Sequence, residues 1–314
     1  MYSIGVDLGG TNIVAGVVDD SYRILAVAKC KTNSPRSADE ILEDIARLCR
    51  DAAQKAGISL KQVDFVGIGS PGTCNTDTGV VEYANNLGFV NVPVCQMMHE
   101  KLGLPIYIEN DANAAALGEA KAGAAQGANS CVCITLGTGV GGGIIIDGKI
   151  YGGFNFSGAE VGHIVIEQNG EPCTCGRNGC WESYASATAL VRQTKKAMQE
   201  NPDSQMWKIA GSLNSVNGLT AFDAMRAGDA AGKAVVDQYI AYVACGVTNM
   251  VNIFQPEILC IGGGVSKEGE TLLAPLRKHV EAERYSRYSD KQTKICVATL
   301  GNDAGIIGAA CLGR

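Results

Sequence analysis

Residues 2–18 read YSIGVDLGGTNIVAGVV, and residues 131–147 read CVCITLGTGVGGGIIID. Each is an apolar run, a glycine turn and a second apolar run that ends at an aspartate turn (Asp19 and Asp20, then Asp147). One offset of 128 places Leu8 on Leu136, Gly9 on Gly137 and Asp19 on Asp147. In both places the glycines join strand to strand. This argues against a dinucleotide-binding fold, whose glycines open a helix. A repeated strand–turn–strand unit predicts two related halves, each with a mixed sheet, facing one another across a cleft.

Outward from these stretches, Ile24 to Ala28 reads as a third strand. Ser37 and Glu40 form a capping box, followed by Ile41, Leu42, Ile45, Leu48, Cys49 and Ala52 at helical spacing, with Gly57 as the stop. Val63 to Gly69 and Ile106 to Ile108 read as short buried strands, and an alanine-rich helix follows Asp111. Residues 151–190 read as irregular, and most of the remainder as helical: about 184–200, 220–228, and Asp229 to Phe254, stopped before Pro256. Ile258 to Ile261 is a strand leading into GGGVS and a helix. Cys296 to Leu300 is the last strand and DAGIIGAACL a closing helix.

Composition narrows the function classes. The chain has 314 residues, 46% hydrophobic and 18% charged, which suits a packed core and excludes a disordered chain. With 26 basic and 32 acidic side chains the net charge is −6, without the basic footprint of a nucleic-acid or membrane-surface binder. Glycine, at 40 residues, is about twice its usual share, and it clusters after apolar runs, where backbone builds sites. The 13 cysteines are an odd number in a chain with no secretory opening and no apolar stretch long enough to span a bilayer. The expectation is a cytoplasmic protein with reduced thiols, ten of them small buried hydrophobes.

Five motifs carry chemistry. In DLGGTN, glycine amides can approach phosphate oxygens, Asp7 can hold Mg²⁺ through water, and Thr11 adds a hydroxyl; alone, the motif is also an ordinary hairpin. LGTGVGGG, with Gly137, Thr138 and Gly139, occupies the equivalent place in the second half, so that a nucleotide triphosphate would be clasped from both sides. IGGGVS, with Gly263 and Gly264, lets a flat group lie on backbone and is assigned to the adenosine end, or is a simple turn. In IENDANAAA, Asn110 and Asp111 stand between a strand end and a helix start. Either one caps the helix, and Asp111 is also placed to accept a hydroxyl proton in phosphoryl transfer. His163 in GAEVGHIVIE, with Cys173, Cys175 and Cys180 in CTCGRNGCWE, supplies one imidazole and three thiolates, suited to a closed tetrahedral Zn²⁺ site of structural type. That site would pin a loop carrying Glu160 and Glu182, which either bind sugar hydroxyls or are solvated charges.

These motifs, in this order and spacing, resemble the ROK family of sugar kinases over essentially the whole chain. The resemblance implies an α/β, two-domain fold of the actin, hexokinase and ribonuclease H-like type, with ATP in an interdomain cleft. Residues 1–110 plus 302–314 would form a smaller domain, and 111–301 a larger one carrying the zinc loop. It implies Asp111 as catalytic aspartate, and Asn110, Asp111, Glu160, His163 and Glu182 as sugar-binding positions. His163, Cys173, Cys175 and Cys180 would be zinc ligands, so His163 would serve twice. Gly9, Gly10, Thr11, Asn12, Gly137, Thr138, Gly139, Gly263 and Gly264 would be nucleotide positions, with Asp7 beside them. The segment VEYANNLGFVNVP resembles the family's sugar-contacting asparagine segment, which carries over Asn86, but it has Phe89 where a tryptophan is common. The implied activity is ATP-dependent phosphorylation of a hexose at its 6-hydroxyl, glucose above others, as in bacterial glucokinases, by a homodimer or higher homo-oligomer. Two alternatives share the scaffold: a kinase for N-acetylmannosamine, allose, mannose or fructose, and a non-catalytic sugar sensor. Family repressors carry a helix-turn-helix domain before the hairpin, and here Met1 lies six residues before Asp7.

Overall fold

A computed structural model describes residues 1–314. The chain divides into two compact units. The first comprises Met1–Cys133, Gly142–Ala159 and Ala298–Arg314, and the second comprises Ile134–Gly141 and Glu160–Val297. In chain order the elements up to the second glycine turn are β1 (Tyr2–Leu8), β2 (Asn12–Asp19), β3 (Ile24–Lys31), α1 (Ala38–Lys55), β4 (Val63–Ser70), β5 (Thr73–Asn75), β6 (Val80–Ala84), β7 (Phe89–Val92), α2 (Val94–Leu102), β8 (Ile106–Asn110), α3 (Asp111–Ala122) and β9 (Cys131–Leu136). They continue with β10 (Val140–Ile146), β11 (Lys149–Ile150), α4 (Glu182–Ala185), α5 (Ala187–Glu200), α6 (Gln205–Ala210), α7 (Thr220–Arg226), α8 (Ala230–Phe254), β12 (Ile258–Gly262), α9 (Glu270–Glu283), β13 (Lys294–Val297) and α10 (Ala304–Ala309). No helix is long and apolar enough to cross a membrane.

The two five-stranded sheets share one topology. The first runs β3-β2-β1-β4-β8 and the second β11-β10-β9-β12-β13, so third, second, first, fourth and fifth strands match in order. In the first sheet β1 and β2, and β2 and β3, pair antiparallel, while β1, β4 and β8 run parallel. The repeat read from two glycine turns therefore extends to whole sheets. Both turns are closed by backbone: Gly9 N–H donates to Asn12 O at 2.9 Å, and Gly137 N–H to Gly139 O at 3.0 Å. At the other end of β10, Asp147 and Gly148 both have positive φ (52° and 72°), the geometry a two-residue hairpin requires.

Several details depart from the sequence reading. The helix expected over about 184–200 is two, α4 and α5. Ser186 is extended between them and caps the second, its Oγ accepting Ala189 N–H at 3.1 Å. A third sheet, β5-β6-β7, and the helices α2 and α6 were not anticipated. Their strands of three to five residues and helices of six to nine are too short to show a period. The last strand lies at Lys294–Val297, and α10 covers only Ala304–Ala309.

In the first unit Ile4, Val6, Leu8, Ile13, Ile41, Ile45 and Ile68 form the centre of a core between sheet and α1. The opposite face of that sheet, where Val14, Val18 and Ile24 pack with Ile306 and Ala310, is bare along one row. Gly5 pairs with Gly16 on one side and with Gly67 on the other, a row of three glycines across β2, β1 and β4. Helix α10 lies on this row. A side chain at Gly5 would overlap the Ile306 carbonyl, and one at Gly67 the Ala309 carbonyl. The same helix meets α3 through glycine on both partners: a side chain at Gly118 would overlap the Ala304 carbonyl, and one at Gly308 the Ala114 carbonyl. The buried Glu119 ties α3 to the segment before α10, accepting Leu300 N–H and Ala124 N–H at 2.8 Å and Thr299 N–H at 3.2 Å. These contacts fix α3, whose first residue is Asp111.

In the second unit Trp181, Tyr239 and Phe222 are fully buried. Trp181 lies against Gly246 of α8, where any side chain would enter the indole ring, and its Nε1–H donates to Tyr242 O at 2.8 Å. The residue that follows Cys180 thus anchors the cysteine loop to the longest helix.

Gly67→Ala is expected to cost about 3 kcal/mol or more, because the methyl group has only a backbone carbonyl to displace. Gly218→Ala, in open space and without positive φ, should leave the melting temperature unchanged. Thermal unfolding of the two variants checks both.

Candidate active site

The first unit brings one set of polar groups together. Asp7 is the penultimate residue of β1, and the hairpin after it, with Gly10, Thr11 and Asn12 exposed, opens to solvent. Thr32, fully buried, latches this hairpin: its Oγ1 donates to Gly9 O at 2.6 Å and its N–H to Thr11 O at 3.0 Å. Gly10 faces Asn86, whose Cβ would lie 3.4 Å from a Cβ placed at Gly10. Asn86 sits in a tight helical turn, Asn85–Leu87, closed by Gly88 in the left-handed region. Phe89, next to that turn, is buried in the core and holds the turn in place.

Of Asn110 and Asp111, Asn110 takes the cap. Asn110 is the cap of α3: Oδ1 accepts Ala112 N–H at 2.9 Å and Asn113 N–H at 3.2 Å, and Nδ2 donates to Gly72 O at 3.1 Å. Asp111 is the first helical residue, and its Oδ1 accepts Ala112 N–H at 2.8 Å. Behind them the buried Glu109 accepts Asn110 N–H at 2.8 Å and Asn113 Nδ2–H at 3.1 Å. Burial raises Asp111 above the ordinary aspartate range, partly opposed by the Ala112 amide. Asp7 is pushed up to about 6, first by burial and then by the charge of Asp111. Gly305 leaves room for Asp7; a Cβ there would stand 3.1 Å from its Cγ. Two half-buried carboxylates within electrostatic range are poised to bind a cation or a proton.

The second unit holds the rest. Gly137 to Gly139 form the tip of the second hairpin, with Thr138 exposed. A side chain at Gly139 would displace Glu182 Oε2, which accepts Val140 N–H at 2.9 Å. Gly263 has a φ of +86° and lies against the backbone of Leu136, so the third glycine motif sits directly behind the second hairpin. Gly264 beside it is exposed.

His163, Cys173, Cys175 and Cys180 converge, their donor atoms all within 4.8 Å of one another. Cys173 Sγ lies 3.6 Å from His163 Nδ1, and Cys175 Sγ 3.6 Å from Cys180 Sγ. Ligands about 2.3 Å from a tetrahedral Zn²⁺ stand roughly 3.7 Å apart, so the four donors fit that ion. Burial, then the neighbouring thiols, push the Cys180 thiol up to about 12, whereas hydrogen bonding from the Arg177 amide lowers exposed Cys175. His163 Nε2 points away from the cluster, 3.9 Å from Oε2 of exposed Glu160. Glu182 Oε1 is 3.9 Å from Cys173 Sγ. None of the 13 cysteines is in a disulfide, and six of the ten outside this cluster are buried.

Thr32, Gly305 and the Val140 amide escaped the sequence reading. Thr32 carried no signal beyond a polar residue at a strand end, and Gly305 looked like part of a closing helix.

Duplicated sheets of this order, each opened by a glycine hairpin, define a mixed α/β protein of the actin and hexokinase type. Residues 3–314 match the ROK family, and the chain belongs to it. It is 40% identical to a glucokinase of Halalkalibacterium halodurans, covering 98% of this chain and 94% of that protein. The crystal structure of a ROK family glucokinase from Streptomyces griseus in complex with glucose and AMPPNP matches with a TM-score of 0.81 at 38% identity, covering 99% and 98% of the two chains. A ROK hexokinase from Thermus thermophilus matches at 0.83 and 32% identity, covering 99% and 97%.

The raised pKa of Asp7 has a stability consequence. The folded state holds this proton more tightly than the unfolded chain, so stability falls as pH rises from about 4 through about 6, by at most about 3 kcal/mol from this group. Asp7→Asn removes that cost. Without nucleotide or Mg²⁺, the variant should melt above the wild type at pH 7.5, and the gap should shrink towards pH 4.5.

Proposed function

We propose that the protein is an ATP-dependent hexose kinase that phosphorylates glucose at its 6-hydroxyl. The observation that carries the reading is Asp111: a half-buried carboxylate fixed at the start of α3, with Asp7 and the first glycine hairpin beside it. The family and its glucokinase-named relatives support the substrates.

Asp111 Oδ1 is held by the Ala112 amide, which leaves Oδ2 for the sugar. The 6-hydroxyl oxygen bonds to the γ-phosphorus as the bond to the β–γ bridging oxygen breaks. The hydroxyl proton passes to Asp111, and ADP leaves with the bond's electron pair. Burial raises the basicity of Asp111 towards what a general base needs. Asn86, Asn110, Glu160, His163 and Glu182 hold the other hydroxyls. His163 can serve both sugar and metal, with Nδ1 turned to the thiols and Nε2 away from them. Gly9, Gly10, Thr11, Asn12, Gly137, Thr138 and Gly139 receive the phosphates, and Gly263 and Gly264 the adenosine. Asp7 would hold Mg²⁺, which offsets phosphate charge when bound. The four-donor cluster would hold a structural Zn²⁺. A cytoplasmic homodimer is the family's expectation and completes the reading.

A coupled assay over glucose, N-acetylmannosamine, allose, mannose and fructose with ATP and Mg²⁺ should rank glucose first. Asp111→Asn should lower turnover by at least about 10²-fold, and near-wild-type turnover would refute the assignment. As Asp7 takes up its proton, kcat/KM for ATP should fall below about pH 6 and be flat above it. Metal analysis should find about one Zn²⁺ per chain. Cys175→Ser, at an exposed position that leaves no cavity, should lower both zinc content and melting temperature.

A further inference from the structure

The chain that leaves the cysteine loop returns at once to the second glycine hairpin. Glu182, two residues past Cys180, accepts Val140 N–H at 2.9 Å. Ala187 N–H donates to Gly137 O at 2.8 Å, and Thr188 Oγ1 donates to Thr138 O at 2.8 Å. Three residues of one seven-residue segment thus touch the hairpin on both sides of its tip and at the tip itself. Across the turn, the hairpin's own bond is the single one from Gly137 to Gly139. A glycine-rich tip has little conformational preference of its own, so these outside contacts set the orientation of its amides and carbonyls. The other end of the segment is equally fixed. Glu182 Oε1 lies 3.9 Å from Cys173 Sγ, Trp181 is buried against α8, and Ser186 caps α5.

We propose that Glu182–Thr188 is a clamp that couples the His/Cys cluster to the nucleotide hairpin, with Thr188 as the positioning residue. The proposal rests on the kinase reading and goes beyond it. The cluster then serves the nucleotide as well as the sugar, although none of its four side chains needs to touch ATP. Coupling is reciprocal: a nucleotide that fixes the hairpin must also make the metal harder to remove. Thr188 suits a test because it is exposed in the first turn of α5, so replacing it disturbs no core.

The experiment uses zinc-loaded full-length protein. AMPPNP affinity with Mg²⁺ and glucose affinity are measured by calorimetry, and zinc release to a chromogenic chelator is followed with and without AMPPNP. Thr188→Val should weaken AMPPNP by about fivefold, the worth of one hydrogen bond, and leave glucose affinity unchanged. In the wild type AMPPNP should slow zinc release, and the valine variant should lose most of that protection. Thr188→Ser, which keeps the hydroxyl, should behave as the wild type. A folded valine variant with undiminished AMPPNP affinity, or zinc release indifferent to AMPPNP in the wild type, overturns the clamp. A wild type that binds no AMPPNP removes the kinase reading itself and the clamp with it.

Discussion

Helix α10 meets its neighbours at bare backbone in four places. Gly5 and Gly67 on the sheet, and Gly118 and Gly308 between the helices, each stand where a methyl group would overlap a carbonyl oxygen of the neighbouring element. At these four points no side chain lies between the backbones to relax, so the relative positions of β1, β4, α3 and α10 are set almost rigidly. The acidic pair depends on it. Asp7 lies one residue before the end of the strand that carries Gly5, and Asp111 begins the helix that carries Gly118. Gly305, on the same closing helix, leaves the space that Asp7 occupies.

That rigidity supports an electrostatically costly arrangement. Two carboxylates are partly withdrawn from water near one another, and both are driven towards protonation. A protein selected only for stability would place an amide at one of them. Stored strain of this kind is usual where a site must bind a cation and accept a proton.

In the second unit the irregular chain after Glu160 has little helix or strand to hold it. It is held by backbone bonds such as Trp181 N–H to Ile164 O, by Trp181 beneath α8, and by the hydrogen bonds of Glu182 and its followers to the glycine hairpin, and within it the four donors converge. Cluster and hairpin therefore form one polar framework within that unit, in which a carboxylate first read as a sugar ligand also holds a backbone amide.

Much of this was legible along the chain, because the relevant interactions are local. The glycine hairpins, the capping box at Ser37 and Glu40, the stop at Gly57 and the cysteine spacing are each decided within a few residues, and the 128-residue offset announced a duplicated sheet. Even the competition between Asn110 and Asp111 for the cap was visible, though not its outcome. What the tertiary structure alone decided are contacts between residues far apart: Thr32 on the first hairpin, Thr188 on the second, Glu119 on residues 299 and 300, and the glycine row beneath α10. No local pattern marks a glycine whose neighbour is a carbonyl from the other end of the chain. The approach of two backbones, unlike the propensity of one, exists only once the chain has folded.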